Sequence, residues 1–81
     1  MEMELDEKLE ELRELYEKKE FSRLKGLLSE LNPADIAAVL DELPDNQRLL
    51  MFRLLSKEEA AETFVELDSD NQEALIHAFS D

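Results

Sequence analysis

The chain has 81 residues, no cysteine, and a formal net charge of −13 from 22 acidic and nine basic residues. This length suits one domain with a modest core, and the absence of cysteine excludes disulfides and thiolate metal sites. The charge disfavours nucleic acid and anionic lipid as partners, and no apolar run reaches the roughly 18–20 residues of a membrane-spanning helix.

Two amphipathic helices are predicted in the first third of the chain. Leucines recur at helical spacing over residues 4–19, and a second helical pattern covers residues 21–31. With one glycine and two prolines in the whole sequence, the composition favours helix over strand. We expect the segment 4–31 to lead into the rest of the fold.

A twelve-residue repeat organises the remainder of the chain. It places an apolar residue at Leu31, Leu43, Leu55, Leu67 and Phe79. The residues that follow these positions are helix-start or turn residues: Asn32, Pro44, Ser56, Asp68 and Ser80. The spacing predicts helices over 33–42, 45–54, 57–66 and 69–79, which pair into 24-residue helical hairpins as repeats 32–54 and 55–79.

Local signals support these helix boundaries. Asn32 before Pro33 is typical of a helix N-terminus, Ser56 with Glu59 forms a capping-box pattern, and Asp68 is the expected cap of the last helix. The helix over 45–54 is apolar on nearly all sides, so we expect it to lie at the centre of the stack.

The predicted fold is therefore all-α: a solenoid of short antiparallel helices, in one helical-repeat domain spanning residues 1–81. Ser80 stands where the repeat would begin another helix, so we expect the domain to be truncated at its C-terminal end. The apolar residues of the last helix would then lack a cover, and we expect self-association through Leu75, Ile76 and Phe79.

Catalytic chemistry has no support in the sequence. The single histidine, His77, has no cysteine and no evident base or nucleophile beside it, and one glycine cannot form a phosphate-binding loop. We therefore predict a protein that is not an enzyme, with no catalytic residues.

The acidic residues after Ser56 are the most informative polar feature. Residues 56–81 hold eight acids and one base, and Glu58, Glu62 and Glu66 follow one another at intervals of four, with Glu59 beside them. Uncompensated like charges at this spacing destabilise a helix by about 0.2–0.5 kcal/mol per pair. Carboxylates suit a hard cation such as Mg²⁺, which takes one or two of them and keeps most of its waters. A solvated helix face explains the same pattern.

Two segments carry a resemblance to a known family. NPADIAAVLDELP at 32–44 and FRLLSKEEAAE at 52–62 resemble the cytoplasmic N domain of MgtE-type magnesium transporters, and the likeness extends over residues 12–81. The sequence departs from the family pattern at Asn32, where His is frequent, and at Ser56, where Pro is frequent. Both replacements preserve helix-start chemistry.

The resemblance implies a right-handed superhelix on the cytoplasmic face of the cell membrane, as part of a larger transporter. In that family, Mg²⁺ bridges acidic faces of the N domain and of CBS domains in the same chain, and this closes the pore. Glu62 occupies one such acidic position, and Glu58, Glu59 and Glu66 are weaker candidates. Mg²⁺ binding would be weak without the CBS partner, and the N domain itself would neither enter the membrane nor bind nucleic acid.

Two alternatives remain open at this point. The flagellar motor switch protein FliG has a similar superhelical repeat, which would make this chain a motor assembly module. A stand-alone helical adaptor that binds a basic protein surface is the other. CBS and membrane segments downstream in the parent gene would distinguish a transporter from both.

Overall fold

Six α-helices joined by short turns form the structure, a computed structural model that describes the backbone of residues 2–80 and the side chains of residues 5–80. The helices are α1 (Glu2–Glu17), α2 (Phe21–Ser29), α3 (Pro33–Asp41), α4 (Asp45–Leu54), α5 (Lys57–Phe64) and α6 (Ser69–Phe79). The predicted all-α class is confirmed, and the described part of the chain contains no strand. None of its helices has the length and apolar character needed to cross a membrane.

The helix α1 ends at Glu17, two residues before the end of the predicted helix over residues 4–19. Lys19 adopts a left-handed conformation with φ of 60°. The amide of Glu20 donates to Leu15 O and that of Lys19 to Tyr16 O, both at 3.0 Å. This is the hydrogen-bond pattern of a Schellman C-cap, which glycine usually provides. Because lysine occupies the left-handed position here, the sequence carried no obvious signal that α1 ends at Glu17.

Each helix packs against its neighbour along the chain or against the helix two places further on. The contacts join α1 to α2 and α3 to α4, and then α2 to α4, α3 to α5 and α4 to α6; α1 also contacts α3. Contacts between alternate helices are what stacked helical hairpins produce. The arrangement is therefore compatible with the predicted solenoid.

The centre of the core is α3, rather than α4 as the sequence suggested. Four of the nine α3 residues are buried: Ile36, Ala37, Val39 and Leu40. In α4 only Arg48 and Met51 are buried, and the apolar side chains around them are partly exposed.

Arg48 occupies a core position that the sequence analysis did not predict. Its side chain is 7% exposed, and Nε donates to Leu40 O at 2.9 Å while Nη2 donates to Leu43 O. Nη1 donates to Asp45 Oδ1 at 2.6 Å. The last carbonyls of a helix have no partner within it and carry partial negative charge. Arg48 therefore acts as a C-terminal cap of α3, supplied from α4.

The start of α6 is held by a side chain from another helix, and the predicted cap Asp68 makes no capping bond. Asp68 holds the N-cap position, but its side chain makes no capping hydrogen bond. Asp41, at the end of α3, accepts from the Asp68 amide at 3.3 Å and from Asn71 Nδ2 at 2.6 Å. By contrast, the predicted caps Asn32 and Ser56 both accept amide hydrogen bonds, from Asp35 and Glu59.

Substitution of each aspartate tests which of the two side chains stabilises the start of α6. Asp41→Ala should lower the free energy of unfolding by about 1–2 kcal/mol, because it removes an acceptor shared by two donors of α6. Asp68→Ala, which removes the same charge, should change it by no more than about 0.5 kcal/mol. Urea titration followed by circular dichroism compares the two variants. If Asp68→Ala lowered the free energy of unfolding more than Asp41→Ala, the Asp68 side chain would be the more important of the two at the start of α6.

The predicted self-association surface needs a correction at one residue. Leu75 is 3% exposed because it packs into the core as part of the α4–α6 contact, so it is not a free surface residue. Ile76 and Phe79 are exposed, at 55% and 46%. The Phe79 ring still has a neighbour, since its centroid lies 6.0 Å from that of Phe52.

Candidate functional site

The four candidate carboxylates occupy different environments along α5 and the turn that follows it. Glu59 completes the capping box: its Oε1 accepts from the Ser56 amide, and its own amide donates to Ser56 Oγ, both at 3.1 Å. Glu59 is also half-buried. A carboxylate held by its own helix N-terminus is the weakest of the four candidates for binding a cation in solution.

Glu66 lies beyond the helix rather than on it. The helix α5 ends at Phe64, and the amides of Glu66 and Leu67 close the last turn through bonds to Thr63 O and Phe64 O at 3.0 and 3.2 Å. These are the tighter bonds that often finish a helix. The predicted three-acid stripe on one helix is therefore limited to Glu58 and Glu62, while Glu66 reaches the same region from a turn.

Glu62 and Glu66 come together at a shallow groove between α5 and the start of α3. The groove is lined on the α3 side by Asn32, Pro33 and Ala34, and on the α5 side by Glu62, Val65 and Glu66. Both carboxylates are exposed, and Val65 between them is 70% exposed. Sequence analysis had identified the two acids but missed Val65, which had no pattern to mark it as a surface residue.

No basic side chain neutralises this face within the described residues. The two ion pairs found there are Arg23–Glu20 and Arg48–Asp45, and neither involves α5. The carboxylates of Glu58, Glu62 and Glu66 also take no part in the side-chain hydrogen bonds of residues 5–80. The face therefore presents hydrated, negatively charged oxygen donors to whatever approaches it.

The described residues hold no group of three or more acidic or histidine side chains that could enclose a metal ion. Two carboxylates at an open groove can still contribute to an oxygen-ligand site, because Mg²⁺ accepts one or two carboxylates and keeps its remaining waters. Chemically, the face can supply part of a cation site and would depend on a second surface for the rest. His77 is exposed on α6, in its last turn.

Comparison with known proteins identifies the family. Residues 31–81, well over half of the chain, match the family model described as the MgtE intracellular N domain. The chain belongs to this family. No curated protein and no solved structure gives a significant match. The MgtE N-domain match begins at Leu31, where the twelve-residue repeat begins, and includes α3 to α6 together with the acidic groove.

Membership in the MgtE N-domain family agrees with the first of the two resemblances and not with the flagellar motor protein. The family is defined as a domain of a transporter, not as an enzyme. The helices α1 and α2 precede the matched region, and they pack on it through the contacts of α1 with α3 and of α2 with α4.

Proposed function

We propose that this chain is the regulatory N domain of a magnesium transporter and acts on the cytoplasmic side of the membrane. The observation that carries the proposal is the match of residues 31–81 to the MgtE intracellular N domain. In this role the domain moves no ion itself. It offers an acidic face that approaches a CBS domain of the same transporter when Mg²⁺ is abundant.

The groove formed by Glu62, Val65 and Glu66 is the proposed contact face. Two acidic surfaces repel each other, and a divalent cation placed between them turns this repulsion into attraction. The donors fit Mg²⁺, since they are exposed carboxylate oxygens without a competing base among the described residues. Glu62 is the proposed principal ligand, with Glu66 beside it and Glu58 one turn away.

The division of ligands between two domains explains how such a site could sense concentration. A cation held by one or two exposed carboxylates gains little, because the ion keeps its waters and the charges are screened by salt. Binding becomes favourable only when the second domain adds its ligands. The isolated N domain should therefore bind Mg²⁺ in the millimolar range or more weakly, and domain closure should respond to the Mg²⁺ level.

The test uses a full-length transporter that carries this domain. Glu62→Gln should raise the Mg²⁺ concentration needed to protect the linker between the N and CBS domains from protease, by about threefold to tenfold, since one charged ligand is lost. The readout is the protected fraction against Mg²⁺ concentration at constant ionic strength. That condition separates ion binding from general screening.

Glu73→Gln provides the matched control, because Glu73 is an exposed acid on α6 that does not line the groove. It makes the same change in net charge and should leave the protection curve in place. If both variants shift the curve equally, net charge and not a ligand sets the response. If neither does, Glu62 is a solvated surface glutamate and the proposed contact face is wrong.

A further inference from the structure

A second groove lies between α4 and α6, away from the acidic face. Its apolar lining comes from Leu49 on α4 and from Ala74, Leu75 and Ala78 on α6, with Asp45 at one end. Ala74 and Ala78 are one turn apart, and their small side chains allow another helix to approach closely.

The charges on α4 indicate what kind of surface fits this groove. Asp45, Leu49 and Arg53 follow one another at intervals of four, so they form one stripe along the helix; Asp45 and Leu49 line the groove, and Arg53 lies one turn beyond Leu49, outside the lining. The two charges are about 12 Å apart along the axis, with the leucine midway between them. The stripe therefore presents an acid, an apolar residue and a base in order. When two copies of the stripe lie antiparallel, the acid of each copy is opposite the base of the other.

Both charged groups are available to a partner. The Asp45 side chain is 86% exposed, and only its Oδ1 is engaged, by Arg48. Arg53 is exposed, and its guanidinium lies over the Phe79 ring at 5.4 Å from the centroid. Phe79, in turn, is 46% exposed and follows Ala78 directly.

We propose that the α4–α6 groove is the contact between two copies of this chain, related by a two-fold axis that passes near Leu49. In that arrangement Asp45 of each copy faces Arg53 of the other, and the two leucines meet at the centre. Such an isologous contact requires a self-complementary surface, which this stripe provides. The contact differs from the predicted surface of Leu75, Ile76 and Phe79, of which only Leu75 lines this groove.

The dimer should be weak and should strengthen with salt. Each copy carries a net charge of −13, so two copies repel each other over distances beyond the contact. Raising the ionic strength shortens the range of this repulsion to about 8 Å at 0.15 M salt, while adjacent charge pairs are screened less. We therefore expect dimers at millimolar protein concentration in moderate salt, and monomers in dilute solution without salt.

Charge reversal tests the geometry by analytical ultracentrifugation of the 81-residue protein. Asp45→Arg alone and Arg53→Asp alone should each weaken the dimer about tenfold or more, because two attractive pairs become two repulsive pairs. An equimolar mixture of the two variants should restore dimers close to the wild-type level. In the mixed dimer every position 45 faces a position 53 of opposite charge.

Glu10→Arg serves as the matched control, since Glu10 is exposed on α1 and the substitution raises the net charge by the same amount as Asp45→Arg. It should leave the dimer intact or strengthen it slightly. Circular dichroism establishes that each variant is folded, and Arg53→Asp keeps the Asp45–Arg48 pair intact. The proposal would be overturned if the protein were a monomer at millimolar concentration, or if neither charge reversal weakened the dimer. The groove would then serve another partner.

Discussion

Replacing Arg48 with methionine should lower the free energy of unfolding by about 3 kcal/mol. The methionine fills a similar space but cannot donate, so the Leu43 carbonyl loses the donor that Arg48 supplies, and the Leu40 carbonyl keeps only the bond from the Leu43 amide at 3.1 Å. Loss of a hydrogen bond from a charged donor costs about 1.5–3 kcal/mol, and Arg48 makes two such bonds to carbonyls in the core. The gain from burying an apolar side chain offsets part of this loss.

Arg53→Met is the matched control, because Arg53 is exposed in the same helix and lies over an aromatic ring. Its loss should stay below about 1 kcal/mol, the size of an exposed cation–π contact. Arg48→Lys should recover only part of the wild-type stability, because one ammonium group cannot reach both carbonyls in the geometry of the guanidinium fork. Urea denaturation measures all three variants. Equal losses for the Arg48 and Arg53 substitutions to methionine would mean that Arg48 is not a cap of α3.

Replacing Leu40 with alanine should have the largest effect, a loss of about 3–4 kcal/mol. Leu40 is completely buried in α3, the helix that contacts α1, α4 and α5. A leucine-to-alanine change at such a site costs the transfer free energy of the removed methyl groups and adds a cavity that its neighbours fill only partly. Since domains of this size have limited total stability, a large part of the population should unfold at physiological temperature.

Thermal and urea denaturation of Leu40→Ala can be compared with Val65→Ala. Val65 is 70% exposed, so its truncation should change the free energy of unfolding by no more than about 0.5 kcal/mol. A small effect of Leu40→Ala would show that α3 is not the centre of the core and would return that role to α4.

The number and position of the helices could be predicted from sequence because their signals are local. The period of twelve from Leu31 to Phe79 is repeated often enough to stand out, and a cap residue follows each repeat position. Asn32 and Ser56 act as caps by bonding to amides three residues away, so the pattern carries its own partner. The helices α3 and α5 begin at such caps, while α4 and α6 begin after the predicted helix-start residues Pro44 and Asp68 without a side-chain cap bond.

The choice of the central helix could not be predicted in the same way. Apolar content favoured α4, but burial depends on how completely the surrounding helices cover each side chain, and composition does not contain that information: α3 contacts α1, α4 and α5, and α4 contacts α2, α3 and α6, yet α3 is the more buried. Arg48 illustrates the difficulty, since a charged residue in a sequence pattern is expected to face solvent. Its partners, the carbonyls at the end of α3, become visible only when α3 and α4 are folded against each other.

The candidate site, too, could be predicted from the sequence only in part. The acids of α5 were found from their spacing, but the role of each depends on distant structure or on a helix end. The capping role of Glu59 follows from the local Ser56–Glu59 pattern, but the sequence did not show that Glu66 falls in a turn or that Glu62 faces the start of α3 across the groove. The CBS-domain ligands of the proposed site belong to another domain, and the sequence of this one holds no information about them.

The bond from Asp41 to α6 has a consequence for how the domain comes apart. In a simple stack of hairpins each unit touches only its neighbours, so an end helix can detach while the others stay folded. Asp41 links the end of α3 to the start of α6 across 27 and 30 residues of chain, past α4 and α5. The last helix cannot peel away without releasing an acceptor that belongs to the first repeat. Loss of α6 therefore also breaks hydrogen bonds to the first repeat, so we expect α6 to unfold together with the two hairpins rather than alone.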